Sequence, residues 1–305
     1  MLKRLFIVLG LVIVVVLALG YQRFLRFQQL SYEKWTAQSQ LMQTRQGPLE
    51  YQIKGKGEPI LQFHGTPSSY RGNLNFPLYQ PLFDDRFSLI SVSRPGYLRT
   101  PLATGATPTQ QADAFSELVS NLGYQQVVVV GISGGGPSAL AFAHRHPEQC
   151  KALILIEALA LPLPEDKRDS RYARLIRLAL DHTYLAWLAS PVLSQYFPNQ
   201  GRQNEMELAF EEYLSLFPYF ADGLQNDVRQ FERLTPLAQP ITRCPTLILH
   251  GLEDEVVGFD NATAVLAHIP NAKLVPFGGA GHELFYTQAG AISAYIADFV
   301  SPAVP

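Results

Sequence analysis

Cysteine is scarce in this chain: its 305 residues include only Cys150 and Cys244. Two cysteines do not imply a disulfide framework, and neither has the Cys-x-x-Cys or Cys/His spacing that metal or thiol redox chemistry requires. Each sits just ahead of an apolar run that reads as a buried strand, so both are expected as small core residues. Charge imbalance is also missing. With 24 basic and 26 acidic residues, a net charge of -2 and no long Lys/Arg run, the chain has no electrostatic footprint for nucleic acid, and no nucleic-acid partner is expected. No internal repeat and no low-complexity segment is found, which argues against a solenoid or a disordered tract. What remains is a chain 47% hydrophobic, long enough to bury a sizeable core as one catalytic domain with an insertion.

The amino terminus stands apart. Lys3 and Arg4 precede an uncharged run from Leu5 to Tyr21 dominated by Leu, Val and Ile, a pattern foreign to an ordinary soluble fold. Seventeen helical residues sit at the short end of what crosses a bilayer core, and Arg23 and Arg26 can extend to the interface. A cleavable signal peptide is the competing reading, because Ala18-Leu19-Gly20 would serve as a cleavage site. The run is longer than an ordinary signal core and basic residues follow it, which favours an uncleaved single-pass anchor, hence a membrane localisation. Basic residues flank the run on both sides, so charge does not assign the side on which the remainder lies.

Residues 22–45 read as an amphipathic helical or extended connector. Beyond it, short apolar runs alternate with helical patterns: Leu49 to Ile53, Pro59 to Phe63, Phe87 to Val92, Val127 to Val130, Ala152 to Ile156, Thr246 to His250 and Lys273 to Phe277. This alternation predicts an α/β fold, with a mostly parallel central sheet and flanking helices. In the segment Thr109 to Leu122, Ala112, Phe115, Leu118, Val119 and Leu122 form one apolar stripe, and Asp113 and Glu117 fall outside it as solvated residues. Between Leu159 and about Pro240 the alternation stops and helical patterns take over, rich in aromatics: Tyr184, Trp187, Phe210, Tyr213, Phe217, Tyr219 and Phe220. These define a helical cap inserted over the carboxyl edge of the sheet, with the aromatics largely its own core. The expected organisation is therefore an anchor or signal segment at 1–21, a connector at 22–45, a core at 46–158 and 241–300, and the cap at 159–240.

The chemistry concentrates at four loops. Gly131-Ile132-Ser133-Gly134-Gly135-Gly136 follows a strand and opens an Ala-rich helix, the strand–turn–helix context in which Gly-x-Ser-x-Gly exposes a serine nucleophile. Side chains at Gly131 or Gly135 would collide with the neighbouring strand and helix, and the amides of the new helix favour developing negative charge. His64-Gly65-Thr66-Pro67 follows the strand ending at Phe63; there the Thr66 amide is positioned to complete an oxyanion hole with that of Gly134, and His64 is read as holding the loop. His282, in the loop Gly278 to Glu283 after the last strand, is the candidate base. Serine alone is a poor nucleophile at neutral pH, and imidazole can take its proton and return it to the leaving group. Asp254 leads as the acid that orients His282, with Glu157, at the carboxyl end of its strand, as the second candidate. His144, His146, His182 and His268 are read as ordinary surface or cap residues.

With Ser133, Asp254 and His282 in this order, the chain resembles the α/β-hydrolase superfamily from Leu49 to Val300, cap included. The turn Arg94-Pro95-Gly96-Tyr97 is similar to a recurrent family feature, although Ser93 stands where Asp often precedes it, and no salt bridge is expected there. The resemblance implies a serine hydrolase with Ser133 as nucleophile, His282 as base, Asp254 as acid and Thr66 and Gly134 as oxyanion donors. It implies no metal and no organic cofactor. The substrate would be a small-molecule acyl compound, most simply an ester, with the aromatic cap and the anchor pointing to a small or lipophilic one. The loop and cap are similar to those of epoxide hydrolases and haloalkane dehalogenases, but these carry Asp at the nucleophile position. The alternatives are a peptidase of the proline-iminopeptidase type, for which the cap residues Glu211 and Glu212 could bind an amine, a cofactor-free haloperoxidase-like enzyme, and a catalytically silent binding protein. The sequence does not address oligomeric state.

Overall fold

The computed structural model describes residues 2–72, 86–168, 171–196, 203–235, 242–282 and 284–300. The expected boundary between cap and core at 240/241, and Glu283 of the histidine loop, lie outside these residues. Eight strands form one sheet: β1 (Gln40–Gln43), β2 (Pro48–Gly55), β3 (Glu58–Phe63), β4 (Phe87–Val92), β5 (Val127–Ile132), β6 (Cys150–Ile156), β7 (Thr246–Gly251) and β8 (Ala272–Phe277). Their order is β1-β2-β4-β3-β5-β6-β7-β8. The pairings of β1 with β2 and of β2 with β4 are antiparallel, and all others are parallel. Every residue of β4, β5 and β7 is buried, as expected for strands covered on both faces. Along β5 the side chains alternate: Val127 and Val129 join the core beneath the helices α2 (Pro108–Asn121) and α3 (Gly136–Arg145), while Val128 and Val130 meet Ile292 and Ile296 of the carboxy-terminal helix.

Local sequence explains the helix starts. The Thr107 hydroxyl accepts from the Gln110 amide at 3.2 Å, the Gln110 side chain accepts from the Thr107 amide at 3.1 Å, and Pro108 occupies the first turn, where its missing N–H costs nothing. Of the apolar stripe, Ala112, Phe115, Leu118 and Val119 are buried as their spacing predicts, and Leu122, at the helix end, is partly buried. Asp113 and Glu117 are not merely solvated: Asp113 pairs with Arg145 and His146, and the Glu117 carboxylate receives the amide and the guanidinium of Arg45. All three partners lie outside α2, so the spacing along α2 could not reveal them. Cys150 and Cys244 are free and buried, and the parallel pairing of β6 with β7 brings their sulfurs to 2.8 Å.

The segment 22–45 departs from a simple connector. One helix, α1, runs from Leu2 to Thr36, and β1, whose register the sequence pattern did not reveal, follows at the sheet edge. The described side chains in the first half of α1 are exposed, and its length and composition would suit a membrane crossing. Its second half packs against the cap. Trp35 is buried with Phe210, Leu214, Phe217 and Phe220 of the cap and with Tyr97 of the core. The Glu212 carboxylate receives the Trp35 indole N–H at 3.0 Å and pairs with Lys34. The cap aromatics therefore form a core that is completed from outside the cap, by α1 and the turn after β4.

Candidate active site

Ser133 follows β5 directly and begins a single 3-10 turn, Ser133–Gly135, that leads into α3. Its φ is 49°, in the left-handed region that a residue with a side chain adopts only when its surroundings enforce it. Among the described residues only Leu98 and Glu157 share this feature, and Glu157 stands at the end of β6 beside the same site. The glycines around Ser133 have steric reasons. A Cβ on Gly131 would lie 2.6 Å from the Ala139 Cβ on α3, and one on Gly135 would lie 2.2 Å from the Phe63 carbonyl oxygen at the end of β3.

Three loops at the carboxyl ends of parallel strands converge here, the position at which open α/β sheets bind ligands. Ser133 Oγ lies 2.9 Å from His282 Nε2, and His282 Nδ1 lies 2.8 Å from Asp254 Oδ2. A carboxylate facing Nδ1 fixes the tautomer: Nδ1–H donates to Asp254, leaving the lone pair of Nε2 for the serine proton. Asp254 is itself held. Its Oδ1 accepts the amides of Val256 at 2.9 Å and Val257 at 2.8 Å, and His250 approaches Oδ2 at 3.4 Å. Burial alone would raise its pKa, but hydrogen bonds from His250 and His282, with the Val257 amide, hold it well below the carboxylate range. Asp254 is thus an anion at neutral pH.

Glu157, the second carboxylate considered, is fully buried and accepts the Leu284 amide at 3.0 Å, bracing the loop just past His282. Ligand atoms of Glu157, Asp254 and His282 lie within 4.8 Å of one another, a spacing that could hold a cation. The bonds of Asp254 and His282 are those of a proton relay, because His282 points one nitrogen at Ser133 and the other at Asp254.

The loop after β3 faces Ser133 from the other side. A Cβ on Gly65 would meet the Ser133 Cβ at 3.2 Å, and one on Gly134 would meet Thr66 Oγ1 at 2.2 Å, so the loop that carries Thr66 adjoins both Ser133 and Gly134. Gly134 lies in the first turn after Ser133, where amides have no acceptor within the helix. His64 is neutral, its pKa driven well below the usual imidazole value by burial and by Arg94. Its Nε2 accepts the Arg94 amide at 2.9 Å and its Nδ1 donates to the Gly65 carbonyl at 2.7 Å, so both nitrogens hold the loop.

At Arg94 the expectation of no salt bridge is corrected. Arg94 makes a buried bidentate pair with Asp227, Nη1 to Oδ1 at 2.8 Å and Nη2 to Oδ2 at 2.5 Å. Burial opposes the charged guanidinium, and Asp227 more than offsets it. The same guanidinium donates to Thr66 Oγ1 and to the His64 carbonyl, while Thr66 and Tyr97 both donate to Asp227. The carboxylate thus comes from the cap helix Ala221–Glu232 rather than from position 93. Ser93 instead donates to Glu50 of β2, which also pairs with Arg99. Asp227 and Phe231, whose ring end approaches Gly134, were missed from sequence. Leu224, Asp227 and Phe231 share one buried face at i, i+3, i+7, so a carboxylate on an apolar stripe was the available signal.

Comparisons with known proteins agree with this architecture. Residues 58–289 match the family model described as alpha/beta hydrolase fold. An uncharacterized hydrolase of Bacillus subtilis is 26% identical over 265 residues, covering 80% of this chain and 92% of the relative. A 2-hydroxy-6-oxononadienedioate/2-hydroxy-6-oxononatrienedioate hydrolase of Pseudomonas putida is 26% identical over 281 residues, covering 86% and 96%. Among solved structures, an alpha/beta hydrolase fold protein from Nakamurella multipartita superposes with a TM-score of 0.67 at 26% identity, covering 86% of this chain and 98% of that one. A thermophilic esterase from Thermogutta terrifontis shares the fold, with a TM-score of 0.63 at 21% identity over 86% of this chain and 98% of its own.

Proposed function

Because the chain belongs to the alpha/beta hydrolase fold family, we propose that it is a serine hydrolase that cleaves a carboxylic ester through an acyl-enzyme on Ser133. The observation that carries this reading is the continuous hydrogen-bonded chain from Ser133 Oγ through His282 to the anionic Asp254. As Oγ attacks the ester carbonyl, its proton passes to His282 Nε2, and Asp254 stabilises the resulting imidazolium. The tetrahedral oxyanion is held by the amides of Thr66 and Gly134. Collapse of that intermediate breaks the C–O bond, and His282 returns the proton to the departing alcohol. Water, deprotonated by His282, then attacks the acyl-enzyme and releases the acid.

Hydrolysis of a carbon–carbon bond is the second reading, favoured by the Pseudomonas putida relative. An anionic dienedioate substrate needs a cation to receive its carboxylate. Arg94, a buried cation beside the Thr66 loop, is engaged by Asp227, Thr66 and His64 and is not free for that role. The aminopeptidase alternative loses one of its supports, since Glu212 is spent on Lys34 and Trp35.

The exposed apolar half of α1 is, in the same reading, an uncleaved membrane anchor, which suits a lipophilic substrate. The test is hydrolysis of p-nitrophenyl esters of graded chain length. Medium-chain esters should turn over faster than acetate, and Ser133→Ala should lower kcat by roughly 10⁴-fold or more. Full activity in Ser133→Ala would overturn the mechanism, and a flat chain-length profile would remove the lipophilic preference.

A further inference from the structure

We propose that the outer face of the cap next to α1 rests on the surface of the bilayer that α1 enters, with a membrane bearing anionic headgroups as its partner. The proposal rests on the reading of α1 as an anchor. Its starting point is the way α1 leaves the protein. All described side chains before Gly20 are exposed, whereas Phe24 is buried and Trp35 is buried within the cap core. The exit point is tightly defined, because Tyr184 lies so close to Gly20 that a Cβ there would fall 2.4 Å from its hydroxyl. Tyr21 meets Tyr184 edge-on at 5.5 Å, and Phe24 and Phe27 meet Trp187 at 5.4 and 5.7 Å. This cluster of Tyr and Trp is the composition found at membrane–water interfaces, and Arg23 and Arg26 lie on the same turns.

The helix Thr183–Leu188 that carries Tyr184 and Trp187 also carries Leu185 and Leu188, which turn away from the cap core and are 59% and 49% exposed. Val192 continues that face at 59%, and Leu175 and Leu178 of the adjoining helix Arg171–Asp181 are each 55% exposed. Contiguous exposed apolar side chains on this scale mark an interaction surface. The helix Arg171–Asp181 pairs these leucines with exposed Arg171 and Arg174, the combination by which amphipathic helices lie at a headgroup boundary. What covers the patch is indicated by continuity: the anchor is packed directly against the element that displays it, so a bilayer around residues 5–19 meets Leu185 first.

The experiment uses full-length protein reconstituted into phosphatidylcholine/phosphatidylglycerol vesicles, with a polarity-sensitive dye on single introduced cysteines. Leu185→Cys reports the cap face and Val12→Cys reports the anchor. Lys54→Cys, at the amino-terminal edge of the parallel strands and away from the cap, reports water. The expected result is a blue shift at Leu185 and Val12, each quenched by nitroxide-labelled lipid, and none at Lys54. Quenching at Val12 with a water-like Leu185 overturns the docking proposal and leaves the anchor standing. A blue shift at Leu185 without lipid quenching assigns the face to a second copy of the chain and also overturns it. A water-like Val12 overturns the anchor and the docking together.

Discussion

The chemistry depends on a few residues held in conformations that they would not adopt alone. Ser133 takes up a left-handed backbone because β5 ends there and α3 begins three residues later. The room around it is small enough that a single methyl group matters. Gly134→Ala would press a Cβ against Thr66 Oγ1 and the Phe231 ring, displacing one or both of the proposed oxyanion donors. The expected outcome is a fall in kcat of roughly 10²-fold, with KM little changed, read by steady-state ester kinetics. Asp254 supplies a pH test. Its folded pKa is lowered, so its contribution to stability is complete above the unfolded value of about 4 and is lost as pH falls from there toward the folded value. The difference in Tm between wild type and Asp254→Asn should therefore narrow as pH is lowered below about 4, measured by thermal melts.

At the scale of elements, the informative contacts join parts of the chain that sequence reading treats separately. The Arg94–Asp227 pair ties the turn after β4, the Thr66 loop and a cap helix into one buried unit. Removing only the carboxylate, as in Asp227→Ala, leaves a buried guanidinium uncompensated and should cost about 3–5 kcal/mol. Replacing both residues together by apolar side chains of similar volume should recover much of that loss, a comparison that urea denaturation can make. Similarly, Trp35→Ala opens the cap core from the side of α1 and should cost about 3–5 kcal/mol. A loss below 1 kcal/mol would mean that α1 does not complete the cap core.

The whole molecule shows why some of this was legible in advance. Parallel strands buried on both faces are short apolar runs, so β3 through β7 stand out, while the edge strand β8 is only partly buried. The residues of the proposed relay sit at strand ends in glycine-rich loops, which mark Ser133, His282 and the Thr66 loop. By contrast, Asp254 could be preferred to Glu157 only by its place in the chain, since Glu253 and Glu255 flank it. It takes three dimensions to find the two backbone amides and His250 that hold its charge. The short β1, the continuity of α1 and the pairing of Arg94 with Asp227, 133 positions away, are long-range facts with little periodicity to announce them. Ser93 misled for the same reason: the local Asp is absent, but a carboxylate arrives from another element.

The central claim is that Ser133 is activated by His282, and it is tested most directly by a fluorophosphonate probe on purified wild-type and Ser133→Ala proteins. The account predicts covalent labelling of the wild type that disappears in Ser133→Ala. Equal labelling of the two proteins, or no labelling of a wild type shown to be folded, would contradict it.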